Sequence, residues 1–87
     1  MKAVVTVVGK DKVGIIAKVS NVLYENNVNI LDISQTIMQD MFTMIMLVDM
    51  ASATAKELSD KLNVIAAEMG LSIHLQNQAL FESMHRI

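Results

Sequence analysis

Two glycines bracket the stretch Gly9-Lys10-Asp11-Lys12-Val13-Gly14-Ile15, a loop whose backbone can approach a small ligand closely. An apolar run from Ala3 to Val8 leads into it and a helical pattern leads out from near Val13, so the free amides of a helix N-terminus belong to the same loop. Asp11 has the chemistry to pair with an α-amino group; the same carboxylate is equally suited to cap the helix through the amides of Val13 and Gly14. Gly14 admits either a ligand carboxylate to those amides or a closely packed strand, because both need a missing side chain. A second polar stretch, Asn29-Ile30-Leu31-Asp32, is expected to face this loop. The Asn29 amide both donates and accepts, or it shapes the turn out of the helix. Asp32 adds a carboxylate, or an edge-strand charge that discourages aggregation. Ile15 and Ile30 serve as pocket walls or as core.

Other chemistry is thin. The chain has no cysteine, which excludes disulfides, thiolate metal sites and a cysteine nucleophile. Met38, Met41, Met44, Met46 and Met50 cluster, but without cysteine or a nearby histidine they read as core or interface rather than as a soft-metal site. His74 is expected on the polar face of an edge strand and His85 in the tail, neither with a serine or carboxylate at a spacing that marks catalysis. No catalytic residue, metal or cofactor is therefore assigned. Seven basic and nine acidic residues give a net charge of -2 with no basic cluster, which argues against nucleic acid and anionic membrane as partners. The N-terminus reads straight into a strand, without a separate leader segment, and no apolar run has transmembrane length; the cytoplasm is the expected compartment.

The elements that must position the loop follow from periodicity. Ala3 to Val8 is β-branched and apolar on both faces, as a central strand is. Ile15, Ile16, Val19, Val22 and Leu23 recur at helical spacing, and the helix is expected to end at Asn26-Asn27. Leu31, Ile33 and Ile37 alternate with Asp32, Ser34 and Thr36, predicting a half-buried edge strand. Gln39-Asp40 turns the chain into Phe42 to Met50, again apolar on both faces. Thr54-Ala55-Lys56-Glu57 is a capping box, Leu58, Leu62, Ile65 and Met69 form the stripe of a second helix, and Glu57 and Lys61 are spaced to pair. Gly70 marks that helix's end. Leu71 to Gln78 alternates as a second edge strand. Two buried and two half-exposed strands fit a ferredoxin-like βαββαβ sandwich of the α+β class, a four-stranded antiparallel sheet in the order 4-1-3-2 with both helices on one face. The outer face then carries an apolar strip that needs a cover. A single domain spans 1–87, and the tail at 80–87, with Leu80, Phe81, Met84 and Ile87 at helical spacing, is the candidate cover for its own sheet or a second subunit's.

The run Val7 to Ser20 with its Asp-x-x-Gly-Ile loop, Leu23, and Val28-Asn29-Ile30-Leu31-Asp32-Ile33-Ser34 resemble the ACT domain, a small-molecule-sensing module of amino-acid metabolism. The likeness covers nearly the whole chain and is nearest to free-standing bacterial and archaeal ACT proteins, and further to the ACT modules of the glycine-cleavage repressor and formyltetrahydrofolate deformylase. One departure is Val13, where ACT proteins often carry proline. The resemblance implies a regulatory homodimer or higher oligomer that binds an amino acid between the loop of one subunit (Lys10, Asp11, Val13, Gly14 and Ile15) and the second strand of its neighbour (Asn29, Ile30 and Asp32), and acts on a regulated protein partner without being an enzyme. The alternative is a ligand-free structural or protein-interaction module built on the same dimer.

Overall fold

The computed structural model describes residues 1–10 and 13–84, the side chains of Met38 and Met84 excepted. Its elements run β1 (Lys2–Lys10), α1 (Ile15–Glu25), β2 (Asn29–Met38), β3 (Met41–Asp49), α2 (Ala55–Met69), β4 (Ser72–Asn77) and α3 (Gln78–Met84). The four strands form one antiparallel sheet in the order β2-β3-β1-β4, the expected ferredoxin-like arrangement.

Register explains the layers. Val5 lies opposite Met46 and Leu75, and Val7 opposite Met44 and Ile73, so one face of β1, β3 and β4 presents a continuous apolar row. Against it pack Ile15, Val19 and Leu23 of α1 and Leu58, Leu62 and Ile65 of α2, forming one core. No polar or charged side chain is buried among the described residues; packing alone therefore specifies this interior.

The helix ends follow side-chain and backbone chemistry. Thr54 accepts a hydrogen bond from the Glu57 amide at 3.2 Å and opens α2. Gly70 closes it in the left-handed region at φ 68°, where a Cβ is costly. The expected Glu57–Lys61 pair does not form. Lys61 instead donates to Asn26 Oδ1 at 2.8 Å, tying α2 to the end of α1, and Lys56 pairs with Asp60 at 3.2 Å.

Two expectations need correction, and one of the two covers expected of the tail is present. The strand after Gly70 is shorter than the alternation implied, because Gln78 already belongs to α3, whose first turn Asn77 caps through the Leu80 amide at 2.7 Å. The tail covers its own sheet: α3 packs on β1 and β4, with Phe81 beside Thr6, Ile45 and His74 on the face opposite the core. Of its expected apolar positions, Ile87 lies outside the described residues. Finally, β2 is not half-buried. Every residue from Leu31 to Ile37 is exposed, since β2 is an edge with no strand on its outer side.

Candidate ligand-binding site

At the loop, α1 begins at Ile15, the first residue of its apolar pattern and two residues past Val13. Its N-cap is Gly14, at φ 89° and ψ 1°, and no side chain caps it. Most side chains are strained at such a φ, so Gly14 is required by backbone conformation. Space does not demand it, since nothing lies within 4 Å of where its Cβ would stand. Asp11, read either as ligand contact or as cap, lies outside the described residues together with Lys12. Lys10 is exposed at the end of β1, Val13 is fully exposed, and Ile15 is buried in the core at 3 % exposure.

Beside this helix start an open cleft of about 510 Å³ is lined by Gly14, Ile15, Ile16, Ala17, Gln35, Ile37 and Phe42. Among the described residues the lining contains no charged side chain, and Gln35 supplies its one side-chain amide. Ile16 and Ile37 are 42 % and 60 % exposed, so the walls are apolar yet open to solvent. The cleft combines an apolar floor with the positive end of α1, features suited to a molecule with an apolar body and an anionic end.

Within one chain, Asn29, Ile30 and Asp32 do not meet the loop. Lys10 lies opposite Met41 and so level with Met38, whereas Asn29 lies opposite Asp49, itself opposite Lys2. The two stretches therefore sit at opposite ends of the sheet, roughly 26 Å apart at about 3.3 Å per residue. What the chain itself brings to the loop is Gln35 and Ile37, which sequence reasoning missed. Alternation already placed Ile33, Gln35 and Ile37 on one face; what it could not supply was the register that sets the end of that face beside the loop. The pairing also contains a bulge: Ile30 faces Val48 and Asp32 faces Leu47, leaving Leu31 as the extra residue. Beyond it Ile33, Gln35 and Ile37 share the helix side, opposite Met46, Met44 and Phe42, and Leu31 leaves the row that alternation assigned it.

A second pairing also escaped the sequence. Ser72 Oγ and His74 Nε2 lie 3.1 Å apart on β4, so His74 does have a serine partner. Both residues are exposed on an edge strand, and no group of three or more His, Asp or Glu that could hold a metal occurs among the described residues.

The class the fold defines is an α+β sandwich with an open cleft at the start of its first helix. The chain belongs to the ACT domain family, whose model matches residues 2–76. It is 51% identical over 89 residues to a UPF0237 protein of Clostridium acetobutylicum, covering 100% of both chains. Among solved structures it is similar to an ACT domain protein from Streptococcus pneumoniae, at 40% identity and TM-score 0.82 over 94% of each chain. A putative glycine cleavage system transcriptional repressor, at 22% identity and TM-score 0.80, shares the fold over 88% of this chain and 45% of its own. No helix among the described residues is long and apolar enough to cross a membrane.

Proposed function

We propose that this ACT domain is a regulatory binding module that works as a homodimer, takes up an amino acid with an aliphatic or aromatic side chain, and passes the change to a partner protein. The carrying observation is the cleft between Gly14–Ala17 and Gln35, Ile37 and Phe42. Its apolar lining suits the ligand's side chain. The amides at the start of α1 suit its carboxylate.

The second copy follows from β2. This ten-residue edge has no proline, no lysine and one acidic residue, Asp32, so it lacks the usual guards against pairing. Antiparallel pairing with a second β2 about Gln35 sets Ile33 opposite the other copy's Ile37, twice, and Ser34 opposite its Thr36, twice. Apolar meets apolar and hydroxyl meets hydroxyl, the self-complementarity an isologous interface needs. In that register the second copy's Asp32 and Ile33 come level with the start of α1, and its Asn29 and Ile30 reach the loop end of the sheet. A ligand touching both copies favours one arrangement of the pair, and that differential affinity is the regulatory signal.

Amide chemical-shift titration against single amino acids tests the reading. Saturable shifts at Gly14 through Ala17, Gln35 and Ile37 with leucine, isoleucine, valine or phenylalanine are expected, and Ile37→Asp should weaken them at least tenfold. Silence at millimolar concentrations of every amino acid sinks the sensor. The unguarded β2 edge favours the second reading in that case, a dimeric interaction module with no small ligand.

A further inference from the structure

The two faces of the sheet are unequally covered. Four strands spaced about 4.8 Å apart make a face about 19 Å wide, room for two helices of about 10 Å each. On the core face α1 and α2 pack over the sheet and leave only the outer part of β2 exposed. On the opposite face α3 is the one element among the described residues, packed chiefly on β1 and β4. The half over β3 and β2 is bare of described residues, and it is about one helix wide.

That bare half is apolar. Met41 and Ile45 are 40 % and 38 % exposed, and the run from Met41 to Leu47 and the neighbouring Ser34 and Thr36 carry no charge; the one carboxylate on this part of the face, Asp32 opposite Leu47, stands at the end away from the hollow. A hollow of about 510 Å³ lies there, lined by Val8, Thr36, Gln39, Met41 and Thr43. Meanwhile α3 has an apolar side chain of its own to spare. Leu80 precedes Phe81, hence points about 100° round the helix from it, and is 48 % exposed.

We propose that α3 of a second copy covers the bare half, the two copies being related by a two-fold axis, with Leu80 of each seated in the hollow of the other. Charge fits this occupant. Glu82 is the only charged residue of α3, and Lys10, next but one to Val8 on the same face of β1, stands at the rim of the hollow. Two such helices, one from each copy, give this face as many helices as the core face has. The contact uses neither the β2 edge nor the cleft, and stands whether or not a small ligand binds.

The absence of cysteine makes the test direct. Met41→Cys and Leu80→Cys are made in separate, differently mass-labelled chains, mixed and oxidised, with Lys56→Cys replacing Met41→Cys as control. A mixed disulfide dimer forming at least tenfold faster than the control is expected. Glu82→Lys in the Leu80→Cys chain should slow it severalfold, and adding Lys10→Glu to the Met41→Cys chain should restore it. Cross-linking at the control rate overturns the proposal. So does rapid monomeric closure when both cysteines are placed in one chain, because α3 would then cover the bare half of its own sheet.

Discussion

Gly14 carries the clearest residue-level demand in the chain. Its φ of 89° with open space around the missing Cβ means that Gly14→Ala meets backbone strain and no clash. We expect a loss of about 1–2 kcal/mol in urea unfolding, the cost of a left-handed conformation for an L residue. Ligand shifts in the cleft should weaken with it, since α1 would start elsewhere. Thr54 is the contrasting case. Its hydroxyl accepts the Glu57 amide, and Thr54→Ala should cost about 1 kcal/mol, read as a lower Tm, while leaving the cleft untouched. At Gly9 the demand is space of another kind: an added Cβ would stand 2.5 Å from Leu71 Cδ2, a flexible tip that can turn aside. The requirement for glycine there is milder than at Gly14, although both bracket the same loop.

At the scale of elements, β2 is the strand to break. Alternate residues of an edge strand direct their N–H groups inward to the neighbouring strand or outward, so Ser34→Pro and Gln35→Pro should act differently. One removes an outward donor and abolishes pairing through β2 with the fold intact; the other removes a bond to β3 and lowers stability. Sedimentation and circular dichroism on the two variants, each also carrying Leu80→Glu to remove the α3 contact, distinguish them, and dimers persisting in both would exclude pairing through β2. The same strand shows how far the sequence could be read. The order of elements, the central placement of β1 and β3, the cap at Thr54 and the stop at Gly70 were legible because each rests on local periodicity or one residue's backbone preference. The bulge at Leu31 was not, because inserting one residue leaves alternation intact on either side while turning one segment relative to the other. The lining residues Gln35 and Ile37 were missed for another reason: alternation gives their face, and only the pairing register sets them beside the loop. The separation of Asn29 from the loop is likewise a matter of register, which composition does not record. Lys61 reached Asn26 rather than Glu57 because a tertiary partner 35 residues away in sequence outcompeted a helical neighbour.

The whole molecule is a small body with a large apolar share. The chain is 53% hydrophobic with a mean hydropathy of +0.43, and Ile16, Ile33, Ile37, Met41, Ile45, Val64 and Leu80 all lie exposed on it. Surfaces of this kind are ordinarily shared with a partner. If copies of the chain are the partner, folding and association are linked and stability depends on concentration. Tm should rise by several degrees from micromolar toward millimolar protein; a Tm independent of concentration would mean that the folded unit is a monomer.

The interior of this sheet is built in large part from thioethers: Met44, Met46 and Met50 are 0 % exposed, whereas Met41, on the same strand as Met44 and Met46, is 40 % exposed. Sulfur oxidation turns an apolar, flexible side chain into a polar one and follows access. Brief peroxide treatment should therefore add oxygen at Met1, 63 % exposed, and at Met41 only while no second copy's α3 lies over it, and leave Met44, Met46 and Met50 as thioethers, mapped by peptide mass. Oxidation of any of the three puts a polar group in the core and opposes refolding until the sulfoxide is reduced. Under oxidative stress the chain would then keep a record of its own unfolding, written one oxygen at a time at Met44, Met46 and Met50.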